Sequence, residues 1–191
     1  IDQGIRHFVL SVGYRHDIIE HHFGKSYRGA TIDYAVESEP LGTGGGLLLA
    51  AGKIAVSGPW LVLNGDTFFE VRLEQLTDFH REKRADITLS LFPADSNTRY
   101  TGVEIDEDQR ITGLESAGNG SRQLINGGVY LMEATVLAGL PFRPGDKASL
   151  ENDLLTRALA SGKRLFGHTV AGKFIDIGVP EDYVRAASLL T

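Results

Sequence analysis

The stretch "EPLGTGGGLLLAAG", from Glu39 to Gly52, places four glycines within five positions directly before an apolar run. Glycines ahead of a helix allow backbone N–H groups to approach a ligand closely. A phosphate-binding P-loop requires a lysine directly after its last glycine, whereas Leu47 follows Gly46 here. The spacing also fails the dinucleotide fingerprint at its third glycine, so an oxidoreductase is only a weak alternative. Glycine content alone is equally typical of a flexible turn before a helix with no ligand-binding role.

Composition narrows the class of protein. The chain has 191 residues, enough for one sizeable core, and we predict a single domain over residues 1–191. Its net charge of -6 argues against nucleic acid or an anionic membrane as a partner. The absence of cysteine excludes disulfides and thiolate metal sites. No apolar run has transmembrane length and no signal peptide is visible, so a cytoplasmic location is predicted.

The first residues suggest that the fold begins earlier than the chain. Residue 1 is Ile, and "IDQGIRHFVLSVGY" is typical of a helix end, a glycine stop at Gly4 and then a strand. We therefore expect the native chain to extend further towards the N-terminus. We also expect the first strand of the fold to be absent from this chain.

Hydrophobic periodicity predicts an α/β fold. Strands and helices alternate in the first half, which favours a mixed but mostly parallel central sheet with helices on both faces. Short polar connections after residue 100 indicate a more antiparallel region, and the basic run from His80 to Arg84 is interpreted as the solvated end of a helix. The predicted strands span 8–12, 31–36, 60–63, 87–91, 101–105, 110–114, 124–132, 164–170 and 174–177, and the predicted helices span 17–23, 47–54, 73–84, 149–160 and a last helix opened by Pro180.

Two carboxylates are candidates for chemistry. Asp66 closes the apolar strand "WLVLNGD", and Asp176 closes "FIDIG". Ligands of parallel α/β sheets bind beyond the carboxyl ends of the strands, and two carboxylates there can share one Mg²⁺. A turn carboxylate after Asn-Gly is the competing interpretation of Asp66. A charge between Ile175 and Ile177 requires a partner or a metal.

Five segments, taken in order, carry a family resemblance: "EPLGTGGG", "VLNGDT", "YTGVEID", "INGGVY" and "FIDIGVPEDYVRAASLL". Together they resemble the sugar-1-phosphate nucleotidyltransferases, over essentially the whole chain. The likeness is greatest to guanylyltransferases that act on mannose 1-phosphate and on D-glycero-D-manno-heptose 1-phosphate. The resemblance implies a Rossmann-like nucleotide-diphospho-sugar transferase fold and a role in making nucleotide sugars as glycan precursors. It implies that the binding partners are an NTP and a sugar 1-phosphate. A homo-oligomer is possible from the sequence.

The resemblance also implies a reaction and a set of roles. A sugar 1-phosphate oxygen attacks the α-phosphorus of the NTP, which yields an NDP-sugar and pyrophosphate. Asp66 and Asp176 match the catalytic Mg²⁺ ligands, and the glycine loop packs against the nucleobase. The implied nucleotide-binding residues are Glu37, Leu41, Gly42, Thr43 and Gly65, and the implied sugar-binding residues are Gly102, Glu115, Asn126 and Gly128.

Base preference depends largely on Glu37, which aligns with the family residue that reads the base edge. A carboxylate only accepts hydrogen bonds at neutral pH, and guanine offers two adjacent donors, N1–H and the N2 amino group. We therefore predict GTP. The competing interpretations are a surface residue at a strand end for Glu37 and a turn residue beside two glycines for Asn126.

Two departures from the family leave alternatives open. Ser116 and Ala117 stand where the family usually has a Glu-Lys pair, with Glu115 one place earlier. The family's N-terminal glycine-rich loop, with its arginine and the following lysine, is not in this chain. We therefore expect the chain as given to bind nucleotide poorly and to turn over slowly. The alternatives are a non-catalytic nucleotide-sugar-binding homologue and, more weakly, a uridylyl- or thymidylyltransferase acting on glucose 1-phosphate.

Overall fold

The structure is a computed structural model that describes residues 1–55, 58–94, 101–116, 123–178 and 180–189. The strands are β1 (His7–Val12), β2 (Ser26–Tyr27), β3 (Ala30–Val36), β4 (Pro59–Leu63), β5 (Thr67–Phe69), β6 (Ile87–Ala94), β7 (Thr101–Ile105), β8 (Ile111–Ser116), β9 (Gln123–Glu133), β10 (Leu165–Thr169) and β11 (Phe174–Asp176). The helices are α1 (His16–Phe23), α2 (Gly42–Ala51), α3 (Leu73–Lys83), α4 (Thr135–Ala138), a π-helical segment (Leu150–Leu155) that continues into α5 (Thr156–Ala160), and α6 (Pro180–Leu189).

The chain forms two compact units. Unit 1 comprises Ile1–Ser57 and Leu137–Ala158, and unit 2 comprises Gly58–Val136 and Leu159–Thr191. The single domain predicted from the sequence stays a prediction. Within the described residues, no helix combines the length and the apolar character needed to cross a membrane.

Unit 1 is built on a three-stranded sheet in the order β1-β3-β2. β1 and β3 are parallel because α1 carries the chain back between them, whereas β2 pairs antiparallel with β3 through a short turn. Helix α2 packs against β1, β3 and the π-helical segment. The start of α2, which lies within the first sequence motif, is therefore close to the end of β3.

Unit 2 contains a six-stranded sheet in the order β10-β6-β9-β7-β8, with β4 also paired to β9. β5 and β11 form a separate antiparallel ribbon. Helix α3 packs on β6, β9 and β10. One core cluster of this unit consists of the buried side chains Phe69, Val71, Leu76, Val129 and Leu131.

The predicted mixed α/β class is confirmed, but the prediction of a mostly parallel sheet is wrong for the described strands. Only the β1–β3 and β6–β10 pairs are parallel among them. β4 and β6 each pair antiparallel with β9, so they run in the same direction, as the strand–helix alternation predicted. β9 lies between them, and it is buried continuously from Gly127 to Met132, as suits a central strand.

The glycine run is helical rather than a loop. α2 begins at Gly42, about five residues before the predicted start, although glycine is a poor helix former. The N–H groups of Gly44 and Gly45 donate to the carbonyl oxygen of Ala148, at 2.9 and 3.1 Å. This tertiary contact satisfies donors that a helix start leaves free, and it overrides the local propensity.

The interpretation of residues 80–84 as a solvated helix end is wrong at His80, which is only 4% exposed. His80 lies one turn after the fully buried Leu76, and therefore on the same face of α3. Its Nδ1 is 2.8 Å from the Thr88 hydroxyl, and its Nε2 is 3.4 Å from a carboxylate oxygen of Glu133. Burial lowers the pKa of His80, and the hydrogen bond with Glu133 opposes that shift only in part.

Candidate active site

The two predicted carboxylates converge in unit 2. Asp66 follows β4 in an exposed turn, and the half-buried Asp176 ends β11. The backbone N–H of Ile177 donates to the carbonyl oxygen of Asp66 at 2.8 Å, which ties the turn to the ribbon. A Cβ placed on Gly178 would lie 2.9 Å from Oδ1 of Asp176 and 4.0 Å from Oδ2 of Asp66. Both carboxylates therefore reach within 4.0 Å of one point.

This donor set fits a hard divalent cation. Mg²⁺ is usually bound by one or two carboxylates together with substrate phosphates and water. The N–H of Gly178 donates to Oδ1 of Asp176 at 2.7 Å and fixes the rotation of that carboxylate. The described part of the chain contains no cluster of three or more His, Asp or Glu side chains suited to a metal. Asp66 and Asp176 are a pair of carboxylates that could hold Mg²⁺ together with substrate phosphates and water.

The "INGGVY" segment of β9 holds the turn that carries Asp66. The N–H of Asn64 donates to the carbonyl oxygen of Gly128 at 2.9 Å. Gly128 has φ +72°, and a Cβ there would lie 2.6 Å from Oγ1 of Thr67, so only glycine fits without strain. The predicted nucleotide residue Gly65 lies in the same exposed turn. The sequence motifs around Asp66 and Gly128 therefore form one packed arrangement.

The amide of Asn126 has a fixed orientation. Its Oδ1 accepts from the N–H of Gly128 at 3.1 Å, and its Nδ2 donates to the buried hydroxyl of Tyr130 at 2.7 Å. One N–H and one lone pair of the amide remain for a ligand. The contact with the Gly128 N–H is one that a turn asparagine also makes, so the contact of Asn126 with a sugar stays a prediction.

The other predicted sugar residues lie on the neighbouring strands. Gly102 is in β7, opposite Ile125 of β9 on one side and Glu115 of β8 on the other. The side chain of Glu115 lies outside the part of the chain that the structure describes, as does Ala117 at the family's Glu-Lys position. The sheet thus places Gly102 next to the strand that carries Asn126.

Unit 1 holds Glu37 by both carboxylate oxygens. The Ser11 hydroxyl donates to Oε1 at 3.0 Å, and the backbone N–H of Leu41 donates to Oε2 at 2.9 Å. Glu37 is half-buried directly after β3, so it is not simply a surface residue at a strand end. The carboxylate links β1 to the residue that precedes α2. Sequence reasoning missed Ser11, because a single serine in an apolar strand carries no motif.

The residues around the start of α2 line a shallow, open cavity of about 540 Å³ at the surface of unit 1. Leu41, Gly42 and Thr43, all predicted to bind nucleotide, form one wall of it. The opposite wall comes from the segment before and within the π-helix, which sequence reasoning missed. The lining residues are Pro40, Leu41, Gly42, Thr43, Lys147, Ala148, Ser149 and Asp153.

Polar contacts fix both walls of this cavity. The Thr43 hydroxyl accepts from the N–H of Leu150 at 2.9 Å, and the Ser149 hydroxyl caps the π-helical segment by accepting from the N–H of Asn152. At the surface, Lys147 forms a 2.7 Å ion pair with Glu39. The hydrogen bond from Lys147, together with its charge, lowers the pKa of Glu39. The cavity wall is therefore pre-organised.

The start of α2 is not arranged to bind a phosphate. The carbonyl oxygen of Ala148 already accepts from two of its N–H groups, those of Gly44 and Gly45. Phosphate sites at helix starts depend on such groups being free. The structure therefore agrees with the sequence argument against a P-loop.

The fold and these sites define a class of protein that the comparisons identify. Residues 1–191 match the Nucleotidyl transferase family, and the chain belongs to that family. This confirms the resemblance inferred from the five motifs.

Among relatives, the D-glycero-alpha-D-manno-heptose 1-phosphate guanylyltransferase of Aneurinibacillus thermoaerophilus is 38% identical over 96% of this chain and 78% of its own length. The mannose-1-phosphate guanylyltransferase of Mycobacterium tuberculosis is 36% identical over 97% of this chain. The chain spans about half, 52%, of that second relative. Among solved structures, HddC from Yersinia pseudotuberculosis complexed with GMP-PN has a TM-score of 0.84 at 30% identity, over 100% of this chain and 81% of that chain.

Proposed function

We propose that this protein transfers a guanylyl group from GTP to a sugar 1-phosphate of the mannose or manno-heptose type. The observation that carries the proposal is the convergence of Asp66 and Asp176 within 4.0 Å of one point beside Gly178. The relatives that act on these two sugar phosphates support the choice of substrate class. A cytoplasmic location and a homo-oligomer stay predictions.

In the proposed reaction, one oxygen of the sugar 1-phosphate attacks the α-phosphorus of GTP in line. A new P–O bond forms, the bond to the bridging oxygen of the β-phosphate breaks, and pyrophosphate leaves with that electron pair. No protein nucleophile takes part, so the protein contributes positioning and charge neutralisation.

Asp66 and Asp176 would hold Mg²⁺. The bound cation would neutralise phosphate charge during transfer. Asn64 and Gly128 keep the turn of Asp66 in place, and the Gly178 N–H keeps the Asp176 carboxylate in place. In the same unit, Asn126 offers one donor and one acceptor to a sugar hydroxyl, since its amide orientation is already fixed.

Glu37 is proposed to select guanine. Each carboxylate oxygen has two lone pairs, and one on each oxygen already accepts from Ser11 or Leu41. The second pair on each oxygen matches the two adjacent donors of guanine, N1–H and the N2 amino group. Uracil and thymine present one donor between two acceptors, which the carboxylate repels.

Pyrophosphate release by the full native protein tests the proposal. GTP, UTP, dTTP, CTP and ATP would each be combined with mannose 1-phosphate, manno-heptose 1-phosphate and glucose 1-phosphate in the presence of Mg²⁺. We expect release with GTP and a manno-configured sugar only. Release with UTP or dTTP would contradict the role of Glu37, and nucleotide binding without release would favour a non-catalytic homologue.

The Glu37→Gln variant separates base reading from loop support. A glutamine oxygen still accepts from the Leu41 N–H, and its amide donates to the Ser11 hydroxyl, which also accepts. We therefore expect unchanged thermal stability, a loss of roughly tenfold or more in kcat/KM for GTP, and a relative gain for UTP. Unchanged preference for GTP would show that Glu37 only supports the loop.

A further inference from the structure

Three elements of unit 1 meet at the Glu37 carboxylate. Ser11 is on β1, Leu41 precedes α2, and Gly46 lies within α2 and is buried. A Cβ on Gly46 would lie 2.8 Å from Oγ of Ser11 and 2.9 Å from Oε1 of Glu37. The hydrogen bond between Ser11 and Glu37 therefore occupies the space that a side chain at position 46 would fill.

Gly46 differs from its neighbours in what surrounds it. Side chains at Gly44 or Gly45 would meet backbone atoms of the segment 146–149, which cannot move without disturbing the fold. A side chain at Gly46 would meet the ends of two side chains, Ser11 and Glu37. A methyl group there requires the Ser11 hydroxyl and the Glu37 carboxylate to move, without a direct clash with the main chain.

The two hydrogen bonds to Glu37 fix the plane of its carboxylate. Without the Ser11 bond, only the Leu41 N–H restrains the carboxylate, which can then pivot as a whole about that one hydrogen bond. A bidentate contact to a base edge requires both oxygens at fixed positions, because two hydrogen bonds must form at once. The Ser11 bond therefore has a consequence for recognition beyond its contribution to folding.

We infer that Ser11 and Gly46 are positioning residues for nucleobase selection. Ser11 orients the Glu37 carboxylate, and Gly46, which has no side chain, leaves room for the hydrogen bond between Ser11 and Glu37. This inference rests on the proposed function, since it assigns the reading of guanine to Glu37. Neither residue is assigned a contact with the base.

The experiment compares Ser11→Ala, Ser11→Thr, Gly46→Ala and Gly52→Ala with the wild-type protein. Ser11→Thr keeps the hydroxyl in a strand that favours threonine. Gly52→Ala is the matched control, since a Cβ at the end of α2 makes only an ordinary 3.5 Å contact with the Leu49 carbonyl oxygen. The readouts are kcat and KM for GTP, for ITP, which lacks the N2 amino group, and for the sugar 1-phosphate.

Ser11→Ala and Gly46→Ala are expected to raise the KM for GTP roughly three- to tenfold and to reduce the preference for GTP over ITP. The kcat and the KM for the sugar 1-phosphate should stay close to wild type. Ser11→Thr should restore the preference, and Gly52→Ala should retain it. A general structural defect would instead reduce activity with every substrate.

Two results would overturn the inference, and they are distinguishable. If the wild-type protein prefers GTP and both alanine variants keep that preference, Ser11 and Gly46 do not position the carboxylate, and the proposed function stands. If the wild-type protein shows no preference for GTP over ITP and UTP, Glu37 does not read guanine. The inference and the proposed role of Glu37 in base selection are then both wrong. Should Gly46→Ala fail to fold, Ser11→Ala and Ser11→Thr still decide between these results.

Discussion

Gly45 offers a direct test of how α2 is packed, because two physical effects of Gly45→Ala have opposite signs. Gly45 lies inside α2 with an ordinary helical backbone, so helix propensity alone predicts that alanine stabilises the protein by about 1 kcal/mol. In the structure, however, a Cβ at this position would lie 2.5 Å from the carbonyl oxygen of Asp146 and 2.6 Å from Cβ of Leu41. Neither atom can move without moving the main chain.

Overpacking of a buried site costs about 1–3 kcal/mol, and contacts this short with main-chain atoms belong at the upper end. Subtracting the gain in helix propensity leaves a net destabilisation of about 2 kcal/mol. The displaced segment includes Ala148, whose carbonyl oxygen accepts from two N–H groups of α2. The loss should therefore appear first as easier opening of α2.

Hydrogen–deuterium exchange of the α2 amides measures this opening. We expect exchange about 30-fold faster in Gly45→Ala than in the wild type, the equivalent of 2 kcal/mol. Gly52→Ala, with its single 3.5 Å contact, should exchange at the wild-type rate or more slowly. Slower exchange in Gly45→Ala than in the wild type would mean that the gain in helix propensity is larger than the steric cost of the contacts with segment 146–149.

Three further predictions concern unit 2. Tyr130→Phe removes the hydroxyl that accepts from Asn126, so the KM for the sugar 1-phosphate should rise roughly tenfold with the KM for GTP unchanged. Asp176→Asn removes one proposed Mg²⁺ ligand charge, so kcat at saturating Mg²⁺ should fall roughly hundredfold without a change in Tm. Burial lowers the pKa of His80, so below about pH 6.5 the unfolded state binds more protons than the folded state. The free energy of unfolding, measured by urea titration, should therefore fall as the pH drops from 7.5 to 5.5. His80→Gln should flatten that slope, and the exposed His21→Gln should not.

The alternation of strands and helices was enough to predict the α/β class, but not the order of the strands. Direction follows from local connections, so β4 and β6 are parallel as expected. Which strand lies between them depends on β9, whose partners are distant in the sequence. Nearly continuous burial of β9 was visible as the apolar run "GGVYLM", but an apolar run alone does not say which strands flank it.

The candidate site was predictable where a motif ends a strand, and not where a contact joins distant segments. Asp66 and Asp176 were predictable because ligands of α/β sheets bind beyond the carboxyl ends of strands, and the structure brings both carboxylates within 4.0 Å of one point. Ser11 and the segment 147–153 carry no motif, and they reach Glu37 and α2 only through tertiary contacts. His80 was misplaced because its charge type was weighed above its helical spacing from Leu76.

The glycine-rich motifs have the same physical role in both units. A run of glycines suggests close approach of backbone to a ligand, but here the close approach is mainly between parts of the protein. Gly44 and Gly45 admit the Ala148 carbonyl against α2, and Gly128 admits Thr67 and the Asn64 turn against β9. In each unit the packed backbone supports a neighbouring carboxylate, Glu37 in one and Asp66 in the other. The glycines would thus act on a ligand indirectly: they allow close backbone packing beside two acidic residues, of which Glu37 is held by its carboxylate and Asp66 by its backbone carbonyl.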